Sequence, residues 1–193
     1  MCGFAGFLDR AGFSDGEALL RRMADTIVHR GPDSDGYWVD GEAGIALAHR
    51  RLAIIDLSPA GHQPMASHDG RFVLSYNGEI YNHLDLRREI DEKGAIEWRG
   101  HSDTETLLQG FSAWGVLGTL ERANGMFALA LWDRAERKLV LARDRLGEKP
   151  LYYGLQAKTL LFGSELKALR QHPAWQGGVN LSLIHISEPT RPY

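Results

Sequence analysis

Cysteine is almost absent from this sequence, because only one of its 193 residues, Cys2, carries a thiol. A single cysteine cannot form an internal disulfide, which favours a reducing, cytoplasmic setting. The formal net charge of −3 is small and gives no support for binding nucleic acid or an anionic membrane by bulk attraction. No apolar run approaches the roughly 18 residues that a transmembrane helix needs. We therefore expect a globular domain with neither a nucleic-acid nor a membrane partner.

Hydrophobic patterning predicts helices early and in the middle of the chain, and strands in hairpin-like pairs. Helices are expected to begin at capping signals or polar starts at Ser14–Glu17, Asn82, Ser102–Glu105 and Glu165. The first helix is expected to stop near His29, because Gly31-Pro32 cannot continue it. Strands are predicted at residues 2–8, 44–55, 72–76, 126–132, 138–142, 151–153 and 160–162. Because the strands pair as hairpins instead of alternating strictly with helices, the sequence predicts an α+β fold with antiparallel sheets.

The position of Cys2, directly behind Met1, has two interpretations. Cysteine is a good small core residue, so its place could be structural. Alternatively, removal of Met1 would give Cys2 a free α-amine, with a pKa of about 7.7–8.0 beside a thiol of about 8.5. Nucleophile and base would then belong to one residue, as in enzymes with an N-terminal threonine. The position alone does not decide between them.

Six further stretches decide the interpretation, and they are HRGPDSDG (29–36), LAHRRLAIID (47–56), YNGEIYNH (76–83), SDTE (102–105), GMFALALWD (125–133) and ARDRLGEKPLYY (142–153). With the N-terminal Met-Cys-Gly, they closely resemble the glutaminase domain of class II glutamine amidotransferases. The resemblance follows the family's order from Met1 to Leu169. Within that family it is strongest to glutamine-hydrolysing asparagine synthetases of the B type.

This resemblance implies both a fold and a nucleophile. The fold would be that of N-terminal-nucleophile hydrolases, a four-layer αββα sandwich with two antiparallel sheets. Cys2 would be the catalytic nucleophile after removal of Met1. The side chain of Asn77 and the backbone N–H of Gly78 would form the oxyanion hole. Because Asn-Gly is also a strong turn signal, we expect a tight turn at these residues that aims an N–H at the substrate.

The resemblance also assigns residues to glutamine binding. Arg51 would bind the substrate α-carboxylate, a task suited to the guanidinium fork, although it could also be an ordinary surface arginine. Glu79 and Asp103 would bind the α-amino group. Positions expected to line the pocket are Leu52, Ile54 and Ile55, which could equally be core residues of a strand. Arg30, Asp33, Arg143, Asp144 and Arg145 are expected to brace the pocket through hydrogen bonds.

Motifs for cofactor chemistry are missing from the sequence. It has no Walker-type phosphate loop, no histidine and cysteine spacing typical of a metal site, and no Ser-Gly-Gly-x-Asp-Ser run of the kind the family's synthetase domain uses for ATP. We expect no metal or cofactor in the glutaminase domain, and ATP and Mg in a C-terminal synthetase domain absent from this chain. The expected partners are glutamine and that domain, with a homodimer left open.

The expected domain spans residues 2–181. The remaining residues, 182–193 (SLIHISEPTRPY), resemble a translated sequencing adapter and are predicted to be a non-native tail. The predicted function is hydrolysis of glutamine to glutamate and ammonia, which would supply ATP-dependent asparagine synthesis from aspartate. Three alternatives stay open: the glutaminase domain of another amidotransferase, a catalytically silent partner module, and a structural protein with a buried Cys2.

Overall fold

The computed structural model describes residues 2–53, 58–92, 94 and 96–177. Within these residues nine strands form one five-stranded and one four-stranded sheet, both antiparallel. The strands are β1 Gly3–Asp9, β2 Ser34–Asp40, β3 Ile45–Arg51, β4 Met65–Ala66, β5 Phe72–Ile80, β6 Gly125–Asp133, β7 Lys138–Arg143, β8 Tyr152–Gln156 and β9 Thr159–Gly163. The helices are α1 Gly16–Asp25, α2 His83–Asp91, α3 Asp103–Arg122 and α4 Leu166–Leu169. The order is β2-β3-β1-β9-β8 in the larger sheet and β4-β5-β6-β7 in the smaller.

Three apolar clusters separate four layers. Phe4 of β1 and Val73 of β5 lie in a cluster between the two sheets, together with Trp132 and Phe162. On the other face of the larger sheet, Phe7 packs in a second cluster with residues of α1 and α4. On the outer face of the smaller sheet, a third cluster joins β5 to α2 and α3. The predicted αββα sandwich is therefore confirmed, and it places the start of β1 in the middle of the larger sheet.

Most predicted elements are confirmed, and the hairpins β6–β7 and β8–β9 form as expected. The prediction of a tight turn at Asn77-Gly78 was wrong, because both residues lie inside β5 and pair with Ala128 and Phe127 of β6. A Cβ added to Gly78 would lie 2.4 Å from the carbonyl oxygen of Met126. Glycine is therefore required by the close approach of the neighbouring strand and not by a turn.

Helix ends differ from the predicted capping signals in several places. The N-cap of α1 is Asp15, which accepts a hydrogen bond from the Ala18 amide at 3.2 Å, and not Ser14. This helix ends at Asp25, before a short 3₁₀ turn at Val28–Arg30. Ser102 does cap α3, through a hydrogen bond from the Glu105 amide at 3.3 Å.

Two polar residues have partners other than those predicted. The Glu105 carboxylate accepts from the amides of Arg99 and Gly100. The Asn82 side chain holds the connection between α3 and β6 and makes no capping hydrogen bond to α2. Strands β2 and β4 were not predicted, because β2 is mostly half-exposed and β4 has only two residues. None of the helices in the described ranges is long and apolar enough to cross a membrane.

Several predictions fall on residues outside the described ranges. They are Ile54, Ile55, the predicted domain end at residue 181 and the predicted non-native tail at residues 182–193. Their roles stay predictions.

A matched pair of aromatic residues tests the inter-sheet layer. Phe162 and Tyr153 are cross-strand partners on the same face of the larger sheet, but Phe162 is fully buried and Tyr153 is 68% exposed. Phe162→Ala should lower the free energy of unfolding by about 3–5 kcal/mol, because it leaves a cavity between the sheets. Tyr153→Ala should change it by less than about 1 kcal/mol. Denaturant unfolding of both variants measures the difference, and equal losses would contradict the layer assignment.

Candidate active site

A cavity of about 130 Å³ opens where the first residue of the described chain meets the ends of β3 and β5. Its wall brings together every predicted site residue in the described ranges: Cys2, Arg51, Leu52, Asn77, Gly78, Glu79 and Asp103. Sites for drug-sized molecules begin at roughly 300 Å³. The cavity therefore suits a small metabolite.

The sulfur of Cys2 lies against the backbone of Leu52. The Leu52 amide donates to Sγ at 3.4 Å, and the Cys2 thiol reaches the Leu52 carbonyl oxygen at 3.5 Å. Burial raises the pKa of the Cys2 thiol, and the hydrogen bond from Leu52 opposes that rise. The resting thiol is consequently protonated, and a base would be needed to convert it to a nucleophilic thiolate.

The backbone of Cys2 is held by a chain of charges that leads to the end of β9. Arg30 donates from Nε to the Cys2 carbonyl oxygen at 3.1 Å and from Nη1 to Glu165 Oε1 at 3.0 Å. His29 and Lys167 contact the same carboxylate at 2.8 and 3.0 Å. Burial alone would raise the pKa of Glu165, but hydrogen bonds from Arg30, Lys167 and His29 outweigh it and bring the pKa to about 2.

The bracing role predicted for Arg30 therefore matches its contacts, whereas the contribution of Glu165 was missed. Its sequence context suggested only a helix start. Glu165 lies 135 residues from Arg30 in the chain. No local pattern could have connected the two.

Arg51 reaches the cavity from the last residue of β3. Its Nη1 donates to the Ser58 carbonyl oxygen at 3.0 Å, which fixes the direction of the guanidinium. Asp33 holds the segment on both sides of Leu52, since its amide donates to the Arg51 carbonyl oxygen at 3.1 Å and its carboxylate accepts from the Ala53 amide at 2.9 Å. The neighbouring Arg50 is paired with Asp25 instead, outside the cavity. The structure thus separates two adjacent arginines that the sequence alone could not distinguish.

The edge of β5 that faces the cavity carries three backbone N–H groups. Backbone groups point to alternate sides along a strand, so those of Tyr76, Gly78 and Ile80 share one direction. The Tyr76 amide donates to Gln63 Oε1 at 2.7 Å, and the Ile80 amide donates to Asp103 Oδ2 at 2.9 Å. Phe127, the cross-strand partner of Gly78, directs its own N–H and carbonyl to Asp144. Gly78 N–H therefore points away from β6 and into the cavity, between two backbone amides that already donate hydrogen bonds.

Asn77 supplies a second donor to the same cavity. Its side chain is buried, and Nδ2 has no hydrogen-bond partner among the described residues. A buried amide group of this kind carries a desolvation cost of about 1–3 kcal/mol unless a ligand satisfies it. Asn77 and Gly78 together are therefore suited to hold a developing negative charge.

Asp103 also lines the cavity, and its carboxylate lies against the same edge of β5. Its Oδ2 accepts from the Tyr76 hydroxyl at 2.7 Å and from the Ile80 amide at 2.9 Å. Burial and the adjacent Asp103 charge raise the pKa of Tyr76 well above its usual value, so the phenol stays a hydrogen-bond donor. Both bonds fall on one carboxylate oxygen, and no hydrogen bond joins the other to a described residue, so it can accept from a cationic ligand. Glu79 lies exposed at the rim of the cavity.

The segment after β7 completes the wall with Lys149, a buried residue that sequence reasoning missed. Asp144 accepts from the amides of Phe127, Glu148 and Lys149 at 3.2, 2.9 and 3.0 Å. Burial raises the Asp144 pKa, but these backbone bonds lower it below its usual value. Arg143 donates to the Gly147 and Lys149 carbonyl oxygens and so braces the same loop.

Arg145 differs from its two neighbours. It reaches the carbonyl oxygens of Glu121, at the end of α3, and of Ala123, in the connection to β6, each at 3.4 Å, and it does not line the cavity. The other cavity residues missed from the sequence are Gly61, Gln63, Tyr76, Ser102, Thr104 and Met126.

His49 lies behind the site between the two sheets. It is fully buried, and its Nε2 is 2.9 Å from the Tyr76 carbonyl oxygen, so Nε2 must carry the proton of the neutral ring. Burial lowers the pKa of His49 to about 4, although the hydrogen bond to Tyr76 opposes the shift. The imidazole therefore stays neutral at physiological pH.

The buried His49 predicts a loss of stability in mild acid. Its pKa is about 4 in the folded chain and about 6.5 when unfolded, so the unfolded state binds the proton more readily. The stability is present above pH 6.5 and should fall by about 3 kcal/mol as the pH drops from 6.5 to 4. Denaturant unfolding at several pH values measures this loss. His49→Gln, which keeps a donor for Tyr76, should remove this component, and an unchanged pH profile would contradict the assignment.

Solved structures share the fold of this chain. The B. subtilis glutamine phosphoribosylpyrophosphate amidotransferase has a TM-score of 0.73 and 20% identity, covering 88% of this chain and 43% of that chain. An allosteric regulatory enzyme of purine biosynthesis gives the same values. With a thiol at the start of the central strand and two stacked antiparallel sheets, the fold is that of N-terminal-nucleophile hydrolases.

Residues 1–187 match the family described as "Glutamine amidotransferase domain", and the chain belongs to that family. It is 40% identical over 176 residues to asparagine synthetase [glutamine-hydrolyzing] 3 of Bacillus subtilis (strain 168), covering 90% of this chain and 28% of the relative. It is 34% identical over 188 residues to the amidase chry2 of Gibberella zeae, covering 91% and 28%. The chain thus spans little more than a quarter of the length of these relatives.

Proposed function

We propose that the chain hydrolyses the side-chain amide of glutamine at Cys2, releasing glutamate and ammonia. The observation that carries this proposal is the orientation of Gly78 N–H. It points into the cavity that Cys2 lines, between two backbone amides that are already bonded to Gln63 and Asp103. Acyl transfer requires a thiol in the same cavity as a backbone N–H that is available to the substrate, and Gly78 N–H has no hydrogen-bond partner among the described residues.

The base in this mechanism is the α-amine of Cys2, exposed when Met1 is removed. None of the described residues that line the cavity is a histidine. An α-amine has a pKa near neutrality, about 7.7–8.0. It therefore accepts the thiol proton at physiological pH. Arg30 fixes the carbonyl of the same residue and so holds the backbone that carries both the amine and the sulfur.

The reaction then proceeds in two acyl-transfer steps. The thiolate attacks the amide carbon of glutamine, and the oxygen takes up negative charge between Gly78 N–H and Asn77 Nδ2. Collapse of this intermediate breaks the C–N bond, and the amine returns its proton to the departing ammonia. A water molecule, deprotonated by the same amine, attacks the γ-glutamyl thioester and releases glutamate, and the thiol regains its proton.

Arg51 and Asp103, which both line the cavity, orient the two charged groups of the substrate. The guanidinium of Arg51 pairs with the α-carboxylate through two charge-assisted bonds. The unshared oxygen of Asp103, with Glu79 at the rim, accepts from the α-ammonium. Fixing both charged groups places the side-chain amide at Cys2. It also favours an amino acid with glutamine's length over shorter amides.

Replacement of Cys2 tests the nucleophile. Cys2→Ala should abolish ammonia release from glutamine while the thermal unfolding midpoint stays within a few degrees, because a part-buried thiol contributes little packing. Intact mass before and after treatment with a glutamine-like diazoketone should show loss of Met1 and one adduct in the native chain, and no adduct in the variant. Residual ammonia release by Cys2→Ala would overturn the mechanism. An adduct without turnover would support a catalytically silent partner module.

The adjacent arginines provide a matched test of substrate binding. Arg51→Lys should raise KM for glutamine about 10-fold or more with a smaller effect on kcat, since an ammonium cannot replace the bidentate contact. Arg50→Lys, whose side chain pairs with Asp25 outside the cavity, should leave KM within about twofold of native. Steady-state ammonia release measures both constants. Similar KM values in the two variants would remove Arg51 from the binding site.

In the full-length protein, we propose that the ammonia supplies asparagine synthesis from aspartate. This is supported by the B. subtilis relatives named as glutamine-hydrolysing asparagine synthetases, of which this chain covers 28% or less. ATP and Mg would be bound by a C-terminal synthetase domain, and the glutaminase domain itself would need no cofactor. The single thiol is consistent with a cytoplasmic location. The partner domain and the oligomeric state would be determined on the full-length protein.

A further inference from the structure

The cavity-facing edge of β5 is open because its partner strand stops early. Strand β4 has only two residues, which pair with Leu74 and Val73. Continued backwards in the same register, this strand would place residue 63 opposite Tyr76 and residue 61 opposite Gly78. A backbone partner at residue 61 would then occupy the N–H of Gly78. The site thus depends on whatever ends this pairing.

The side chain of Gln63 takes the place of that strand partner. Its Oε1 accepts from the Tyr76 amide at 2.7 Å, in the place that the backbone carbonyl oxygen of residue 63 would take in a continued strand. The Gln63 carbonyl oxygen is directed toward β2 instead, where a Cβ on Gly36 would lie 2.0 Å from it. The backbone pairing therefore ends before it reaches Gly78.

The same amide group links the two walls of the site. Because Tyr76 N–H is only a donor, the atom facing it must be Oε1, and Nε2 then faces Thr104, to whose hydroxyl it donates at 3.3 Å. Thr104 follows Asp103 in the first turn of α3. Gln63 is buried, at 6% exposure, and both ends of its side chain are hydrogen-bonded. One side chain thus fixes the oxyanion strand relative to the helix that carries Asp103.

We propose that Gln63 is a positioning residue for glutamine hydrolysis, which ends the pairing of β4 with β5 and so keeps Gly78 N–H available to the oxyanion. The inference rests on the proposed function of the site. Gln63 acts through Tyr76 and Thr104 and forms no bond to the reacting atoms. Its loss should therefore weaken steps that need the oxyanion donors and spare reactions of the thiol that do not.

The test compares two reagents on the same thiol. A glutamine-like diazoketone presents a carbonyl to the oxyanion donors, whereas iodoacetamide alkylates Cys2 without them. Gln63→Met, which has similar length and no hydrogen-bonding amide, should slow labelling by the diazoketone about 10–100-fold, as expected when reacting groups are displaced by up to about 1 Å. The iodoacetamide rate should change less than about twofold, because thiol reactivity follows its pKa and exposure. Intact mass at timed intervals measures both rates.

Gln109→Met is the matched control. Gln109 is also a buried glutamine, on α3, but it does not line the cavity and its Nε2 has no partner among the described residues. The same chemical change should leave the ratio of the two labelling rates as in the native chain. Gln63→Glu, which keeps an acceptor for the Tyr76 amide, should recover most of the ratio lost in Gln63→Met.

Each outcome of the test bears on the proposal. An unchanged rate ratio in Gln63→Met would overturn it, and so would a parallel fall in both rates, which would show a general loss of Cys2 exposure. If Gln63→Met does not fold, the proposal depends on Gln63→Glu and on Thr104→Val, which removes only the link to α3 and should lower the ratio by a smaller factor. A native ratio in Thr104→Val together with a fully lost ratio in Gln63→Glu would overturn it. Failure of the native chain to release ammonia would contradict the proposed function alone, because the labelling ratio does not require turnover.

Discussion

Backbone groups alternate along β5, and the arrangement of the site depends on this alternation. Asn77 and Tyr81 direct their backbone groups to β6 and the residues beside it, where they find partners. Tyr76, Gly78 and Ile80 direct their backbone groups to the open edge, where the hydrogen-bond partners must come from side chains or from a ligand. A shift of register by one residue would exchange the two sets. It would also turn the side chain of Asn77 away from the space between the sheets.

A second constraint is the placement of Cys2 on the central strand of the larger sheet. β1 is paired on both sides, with β3 and β9, so its direction is fixed over its whole length. Cys2, the residue before β1, is held by Arg30. Phe4, inside β1, is held by Ser164, whose hydroxyl accepts from the Phe4 amide at 3.0 Å. A terminal residue normally has considerable freedom. Here the surrounding sheet and the Arg30–Glu165 pair remove that freedom from Cys2.

Much of the fold and of the candidate site could be predicted from the sequence, and the exceptions share a physical cause. Alternating and helical patterns located most strands and helices, because those patterns are local. Cys2, Arg51, Asn77, Gly78 and Asp103 were found through motifs whose residues are adjacent in the chain, and the structure brings them to one cavity. Their catalytic and binding roles stay predictions. Asn77-Gly78 was misassigned as a turn, because the sequence does not show that the Met126 carbonyl oxygen approaches Gly78.

The residues that were missed act over long distances in the chain. Glu165 contacts Arg30, and Lys149 enters the cavity from the loop held by Asp144. Gln63 stands in for a strand partner, a role that depends on where β4 stops. The adjacent Arg50 and Arg51 differ in their partners, which are the Asp25 carboxylate for Arg50 and the Ser58 carbonyl oxygen for Arg51. None of these features leaves a periodic signal.

The pairing of β1 with β9 has a consequence for synthesis of the protein on the ribosome. Phe4 and Ala5 contact Ser164 and Gly163, and Arg30 connects Cys2 to Glu165, so these contacts close a loop that includes nearly the whole described chain. Contacts of such high sequence separation form late in folding. A nascent chain therefore carries Cys2 long before residues 163–165 have been synthesised. With the function proposed above, an incomplete chain would release no ammonia from glutamine, because Cys2 would not yet be held in place.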